Sequence, residues 1–115
     1  MTIQELIDLT GAKDLTPDTD KSAAVSCGYT CDLLSWVMAH GEAGMAWITV
    51  QTHMNVVAVA MLSEMACVIL PENIDMEESS LQKAADEGLC VLKSPLTAYA
   101  ICGRMAAAGV PESAE

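Results

Sequence analysis

The stretch from Trp47 to Pro71 reads WITVQTHMNVVAVAMLSEMACVILP, and it decides the fold class of this chain. An apolar run, a short polar corner, a second apolar run and a third follow one another, and this order predicts a strand, a corner, a helix and a strand. In such a unit the corner lies where a parallel strand feeds a helix, a common place for α/β proteins to bind ligands. The corner is therefore the first candidate site, formed by Gln51, Thr52, His53 and Asn55.

The run from Val56 to Leu62 is ambiguous by itself, because its valines favour a strand while it shows no polar alternation. A strand here would lie between the strand that ends near Val50 and the one that begins near Ala66. That arrangement leaves no room for the crossover that parallel pairing requires. We therefore predict a helix over residues 54–64.

Similar units flank this stretch on both sides. Thr2 and Glu5 stand at capping-box spacing before a predicted helix over residues 3–10. The other predicted elements are a short edge strand at 14–16, an extended segment at 22–26, a helix from about 33, strands at 45–50, 67–70 and 89–92, a helix ended by Gly88, and a helix from Pro95 to Gly109. The predicted N-caps are Thr30 or Asp32 for the helix from about 33, Asp75 for the helix ended by Gly88, and Ser94 for the last helix. The chain therefore reads as an α/β protein with three layers, a mostly parallel sheet of about four strands and helices on both faces.

The length of 115 residues and the apolar fraction of 52% fit one domain with one real core, which we place at residues 1–110. The tail, residues 111–115, is expected to be mobile because it follows Gly109 and Pro111 and is mostly polar.

Sixteen acidic against five basic residues give a formal net charge of −11. This charge opposes binding to phosphate backbones and to anionic lipid surfaces, so neither nucleic acid nor membrane is an expected partner. A small anionic ligand stays possible, because backbone N–H groups at helix N-termini can hold one without a basic side chain. No cofactor is expected.

Five cysteines are an odd number, and the N-terminus MTIQELIDLT is acidic and amphipathic, unlike a secretory signal. Both features favour the reducing cytoplasm. The longest apolar stretch is interrupted by Ser63 and Glu64, so no membrane span is predicted.

The carboxyl ends of parallel strands share one edge of the sheet, and that edge gathers the candidate ligand-binding residues. They are Gly28, Tyr29, Thr30, Gln51, Thr52, His53, Asn55 and Ser94. A cleft there suits a small polar or phosphorylated molecule held by helix N-termini and by Thr, Gln and Asn side chains. The same hydroxyls and amides serve equally well as helix caps.

Catalysis has weaker support. One hypothesis is that Cys27 is a nucleophile and His53 its base. Another is that Cys27, Cys31 and His53 form part of a zinc site, but the C-x3-C spacing is not followed by a second Cys/His pair. The chain contains neither a G-x-x-x-x-G-K-[ST] loop nor a G-x-G-x-x-G turn. We therefore expect no catalytic residues and no metal site.

Three blocks of the chain carry a family resemblance: G-Y-x-x-D-L-L-S-x-V-M-A from Gly28 to Ala39, W-I-T-V-Q-T-H-x-N-V-V-A-V-A from Trp47 to Ala60, and C-V-I-L-P with a later G-L-C-V-L. The pattern resembles the DRTGG domain family over roughly residues 2–109. It looks most like small stand-alone members that are described as HPr-kinase-like and accompany iron-only hydrogenase genes in anaerobic bacteria. The turn for which the family is named is absent from this chain.

The resemblance implies a DRTGG-like domain similar to the N-terminal, non-catalytic part of HPr kinase/phosphorylase. It implies a regulatory or ligand-sensing role, with a small molecule or a protein partner at the carboxyl edge of the sheet, and it implies a homodimer. Two alternatives remain open. One is a small hydrolase or transferase that uses Cys27 or His53, and the other is a structural partner subunit of a redox or hydrogenase system.

Overall fold

The computed structural model of the chain describes residues 1–113, and the last two residues of the predicted tail lie outside that range. The described chain forms five helices and five strands. They are, in chain order, α1 (Ile3–Thr10), β1 (Lys13–Asp14), β2 (Cys27–Thr30), α2 (Leu34–His40), β3 (Met45–Ile48), α3 (Met54–Leu62), β4 (Cys67–Leu70), α4 (Glu78–Glu87), β5 (Cys90–Lys93) and α5 (Ala98–Ala107). Over residues 1–113 no helix has the length and apolar character needed to cross a membrane.

The five strands form one sheet in the order β1-β5-β4-β3-β2. The pairs β2–β3, β3–β4 and β4–β5 are parallel, and β1 pairs antiparallel with β5. The predicted α/β class with a mostly parallel sheet is confirmed, although the sheet has five strands where about four were predicted. The fifth is the short edge strand, which was predicted at 14–16 and lies at Lys13–Asp14.

Helices cover both faces of the sheet, as predicted, but unevenly. The core on one face joins α2, α3 and α4 to Trp47, Val68 and Val91, and the core on the other joins α1 and α5 to Ile48 and Ile69. Neighbouring residues of a strand point to opposite faces, so each central strand contributes to both cores. All four residues of β3 and of β4 are buried, which explains why these strands read as continuous apolar runs.

The capping box of α1 and the helical state of residues 54–62 are confirmed. The Thr2 hydroxyl accepts the N–H of Glu5, and the Glu5 carboxylate accepts the N–H of Thr2. The hydrogen bond from the Thr2 backbone lowers the pKa of Glu5. The helix α3 lies within the predicted 54–64, so the crossover that parallel pairing demands outweighs the β propensity of its valines.

Two predicted N-caps are wrong because their side chains are used elsewhere. The residue before α2 is Leu33, which makes no side-chain cap, and neither Thr30 nor Asp32 replaces it. The cap of α5 is Thr97, so that helix begins later than Ser94 predicts. Asp32 and Ser94 instead form the loop contacts described below.

The predicted Asp75 cap of α4 is also wrong. The carboxylate of Asp75 lies 2.8 Å from the ammonium of Lys93, and that hydrogen bond lowers its pKa. The helix starts after Glu77, which makes no side-chain cap. Its predicted end is confirmed, because Gly88 adopts the left-handed conformation with φ of 78°.

The predicted extended segment at 22–26 is not a strand of the sheet. It contributes one isolated bridge, between Thr2 and Ala24, and β2 begins at Cys27. Tyr29 and Thr30 have the β propensity that the prediction missed, because Gly28 looked like part of a turn. The first residues of the predicted tail lie against this strand, with the Pro111 carbonyl accepting the Gly28 N–H at 3.1 Å.

The two glycines at positions 88 and 103 give a matched pair for a test of backbone effects. Gly103 lies inside α5, and a Cβ there meets no atom within 4 Å, so Gly103→Ala is expected to raise the free energy of unfolding by about 0.5–1 kcal/mol. Gly88→Ala forces an alanine into the left-handed backbone conformation and is expected to lower the free energy of unfolding by about 1–2 kcal/mol. Urea unfolding measures both, and changes of the same sign would contradict this account.

Candidate functional site

The carboxylate of Asp32 holds together the loops that follow β2 and β3. Its Oδ1 accepts the Thr49 hydroxyl at 2.8 Å and the Val50 N–H at 3.0 Å. Thr49 is buried, so its hydroxyl requires a partner inside the protein. These two charge-assisted bonds fix the start of α2 relative to the end of β3.

The polar corner after β3 uses two of its four predicted ligand-binding side chains for the fold. Gln51 donates from Nε2 to the Asp32 carbonyl at 3.0 Å, and the His53 Nδ1 accepts the Asn55 N–H at 3.2 Å, which caps α3. The side chains of Thr52, half-buried, and Asn55, exposed, make no hydrogen bond to another residue within 1–113. Thr52 and Asn55 therefore keep their polar groups available.

A ligand crevice in an open α/β sheet usually opens between neighbouring strands whose following helices lie on opposite faces. Here those strands are β4, followed by α4, and β5, followed by α5. Backbone hydrogen bonds close this point: the N–H of Asn73 donates to the carbonyl of Ser94 at 2.9 Å, and that of Glu72 to the carbonyl of Leu96 at 2.8 Å. These bonds hold the two loops directly against each other.

Ser94 therefore lies apart from the other predicted site residues. It is fully buried, and its hydroxyl donates to the Thr10 carbonyl at 2.8 Å and accepts the Leu96 N–H at 3.1 Å. Both bonds are internal, so Ser94 joins the end of α1 to the loop after β5. Its position does not bring it to the surface where a ligand can reach it.

An open groove lies instead beside β2, on the face covered by α5. Its volume is about 170 Å³. The residues that line it come from β2 and β3 on the floor, from α5 on one side and from the chain after α5 on the other: Gly28, Tyr29, Thr30, Ile48, Cys102, Met105, Ala106, Val110, Pro111 and Glu112. Three predicted ligand-binding residues thus lie together in one depression, away from the Thr52 and Asn55 side chains at the start of α3.

Gly28 gives this groove its depth. It carries no side chain on the groove floor, and a Cβ there would lie 3.0 Å from the Met105 Cε. The Gly28 N–H donates to the Pro111 carbonyl, so the backbone groups of Gly28 point away from β3. The direction of these groups alternates along a strand, so the N–H and C=O of Thr30, two residues further on, also point away from β3. Within residues 1–113 these two groups of Thr30 have no backbone partner. As far as residues 1–113 are concerned, the groove therefore combines an apolar wall with one unpaired backbone donor and one unpaired backbone acceptor on its edge strand.

The groove carries little charge. Burial raises the pKa of the Cys102 thiol above its usual value, so this thiol stays protonated at neutral pH. Burial likewise raises the pKa of Tyr29. Among residues 1–113, Glu112 is the one charged residue in the lining, and no Lys or Arg lines it. The groove thus suits an uncharged ring or a short apolar group better than a phosphate.

The structure does not assemble the catalytic or metal sites that were considered from sequence. Cys27 is fully buried, with its sulfur 3.8 Å from the Ser26 hydroxyl, while His53 is exposed and caps a helix. Burial raises the pKa of Cys67 and of Cys90. Among residues 1–113 no group of three or more His, Cys, Asp or Glu side chains is placed to hold a metal ion.

Sequence reasoning missed the α5 side of the groove. Cys102, Met105 and Ala106 read as ordinary positions on an apolar helix, and no motif sets them apart. The missed signal lies in β2, where Gly28 stands inside a strand that pairs with a fully buried neighbour. A glycine within a strand often marks a close approach by another group.

Removal of the Asp32 carboxylate tests its role in joining the two loops. Asp32→Ala leaves the buried Thr49 hydroxyl and the Val50 N–H without their acceptor, so the free energy of unfolding is expected to fall by about 1–3 kcal/mol. The control is Asp86→Ala, because that exposed carboxylate bonds only to Gln82 on its own helix, and a change within about 0.5 kcal/mol is expected. Equal effects of the two variants in urea unfolding would contradict the assigned role.

Comparison with solved structures finds a likeness to the CBS and DRTGG domains of the regulatory region of Clostridium perfringens pyrophosphatase, in complex with its activator, diadenosine tetraphosphate. The TM-score is 0.70 and the sequence identity 9%, over 96% of this chain and 47% of that chain. This chain thus spans about half the length of the one it matches. No family model and no curated protein sequence matches the chain. At this level of identity the likeness shows the fold alone, and it supports a DRTGG-like α/β fold for residues 1–113.

Proposed function

We propose that this chain is a non-catalytic regulatory or ligand-sensing domain. The observation that carries the proposal is the groove beside β2, an apolar depression whose edge has a backbone donor and acceptor with no partner among residues 1–113. The fold likeness supports it, because the similar region of the pyrophosphatase is regulatory and holds a nucleotide activator. The resemblance to the non-catalytic part of HPr kinase/phosphorylase supports the same role.

The size and lining of the groove limit what it accepts. Its volume of about 170 Å³ is smaller than that of a typical site for a drug-sized ligand, and a cavity of similar size can hold a benzene ring. We therefore assign it a small, uncharged planar ring system of one or two rings, whose polar edge meets the N–H and C=O of Thr30. Adenine nucleotides are the first class to test, with the base in the groove and the phosphates outside, because no basic side chain lines it.

The predicted site residues take different roles in this proposal. Gly28, Tyr29 and Thr30 form the ligand site, and Thr52 and Asn55 are available for a polar part of a ligand. Gln51 and His53 act through the loop geometry, because their side chains already bond to Asp32 and Asn55. Ser94 has no contact with a ligand in this assignment.

Burial of Cys27 disfavours the hydrolase or transferase alternative, since a nucleophile must be reachable by its substrate. The free state of all five thiols supports a reducing compartment such as the cytoplasm. Self-association as a homodimer belongs to the same proposal, and the surface for it is argued below. The role of partner subunit in a redox or hydrogenase system has no observation within residues 1–113 that favours it over self-association.

Occlusion of the groove tests the ligand site directly. Ala106 is exposed and lines the groove, so Ala106→Trp is expected to lower the affinity for any groove ligand by about tenfold or more, because the indole occupies the space. Isothermal titration with AMP, ATP and diadenosine tetraphosphate measures the affinity, and amide chemical shifts of Gly28, Thr30 and Ala106 locate the site.

The matched control is Ala107→Trp, which adds the same side chain at the next exposed position of α5, outside the groove lining. Its affinity is expected to stay within about twofold of the parent chain. A ligand whose affinity is unchanged in Ala106→Trp would bind elsewhere and would remove the groove assignment. Equal loss in both variants would indicate damage to α5 and not occlusion.

Thiol reactivity gives an independent measurement. Cys31 and Cys102 are half-buried, whereas Cys27, Cys67 and Cys90 are buried, so iodoacetamide is expected to modify the first two well before the other three. A ligand in the groove is expected to slow modification of Cys102 and to leave Cys31 unchanged. Peptide mass spectrometry identifies which cysteine is modified. Fast modification of Cys27 would support the hydrolase or transferase alternative.

A further inference from the structure

Most of the large apolar side chains that the described chain exposes lie on one pair of helices. Five of the seven belong to α2, to the residue before it, or to α3: Leu33, Trp36, Met38, Met54 and Leu62. Their exposed fractions are 62%, 53%, 54%, 37% and 70%. The outer surface of α2 and α3, with these side chains, is called the α2/α3 surface.

Both ends of this helix pair are tied together, so the two helices are held in a fixed position relative to each other. At their start, the Asp32 carboxylate joins the loop before α2 to Val50, shortly before α3. At their end, Gly41 and Ser63 are the residues that follow the two helices, and a Cβ on Gly41 would lie 2.7 Å from the Ser63 hydroxyl oxygen. The helices also pack against each other on the same face of the sheet.

The segment that forms α2 and α3 contains few charged residues in a strongly acidic chain, although Asp32 and Glu64 lie directly at its two ends. From Leu33 to Ser63 the sequence contains no Lys or Arg, and its single acidic residue is Glu42. The other fifteen of the sixteen acidic residues lie outside this segment. A pairing of two copies through other parts of the surface brings carboxylates of like charge together, which opposes association.

We propose that the α2/α3 surface is where two copies of this chain meet about a two-fold axis, an inference that rests on the self-association proposed above. A two-fold interface uses the same surface on both copies, so it must be compatible with itself, and an uncharged apolar surface meets that condition. The five side chains present roughly 500 Å² of apolar surface, near the upper limit for monomers and over half of the ~800 Å² that each partner buries in a stable interface. The alanines and serine between them, Ser35, Ala39 and Ala58, extend that area.

The charge distribution also sets the direction of the salt dependence. Two copies of net charge −11 repel each other at long range, and salt screens that repulsion while it leaves the apolar contact intact. The dimer is therefore several-fold tighter at high than at low ionic strength. A basic protein partner bound through the acidic parts of the chain shows the opposite dependence.

Sedimentation velocity of the full chain tests the inference across a concentration series at about 0.05 and 0.5 M NaCl. The parent chain is expected to sediment with twice the 12.1 kDa chain mass at high concentration. Leu62→Glu and Met38→Glu are expected to raise the dimer dissociation constant by about tenfold or more, because each buries a charge at the interface. Leu62→Lys has the same effect although it reduces the net charge, which separates burial in the interface from general repulsion.

Tyr99→Glu is the matched control, because Tyr99 is 90% exposed on α5, on the other face of the sheet. It is expected to leave the dissociation constant within about twofold of the parent value, and circular dichroism checks that every variant is folded.

A monomeric parent chain overturns both self-association and this surface. A parent dimer that the Leu62 and Met38 variants leave intact, or that Leu62→Lys tightens, overturns the surface alone. The ligand affinity of Ala106→Trp is measured separately. If that experiment contradicts the ligand site, the test of the dimer surface is unaffected.

Discussion

The right-handed crossover between parallel strands is the constraint on which the rest of this fold depends. Strands β2 to β5 lie side by side in chain order, so the three connections between them all fall on one face. That face receives α2, α3 and α4, while the other is left to α1 and α5. The groove and the α2/α3 surface both follow from this division. On one face α5 packs against the edge strand β2, and on the other face α2 and α3 form the outer layer.

Long-range consequences of chain connectivity were easier to predict from sequence than local ends of helices. The helical state of α3 follows from the length needed to connect β3 with β4, although its valines favour a strand. The caps were predicted from residue type alone, and they were wrong wherever another part of the chain competed for the side chain. Asp32 bonds to Thr49 and Ser94 bonds to Thr10, and neither partner is near in sequence. A single sequence contains no record of such competition.

The same limitation applies to the candidate site. Its residues were assigned from the sequence to the carboxyl edge of the sheet, but side chains that bond within the fold, such as Gln51, were not separated from those that do not, such as Asn55. The side chains of Gln51 and His53 already make hydrogen bonds within the loops that carry them. The groove residues on α5 depend on the angle at which that helix crosses β2, which is set by packing against Ile48 and its neighbours and has no motif.

Gly28 lies in ordinary extended conformation, so its value to the protein is the space that it leaves and not a backbone shape that only glycine adopts. An alanine there needs only a shift of the flexible end of Met105 by a few tenths of an ångström. The depth of the groove is therefore separable from the stability of the fold. A change of one codon at this position can therefore fill or open the groove while the fold stays the same.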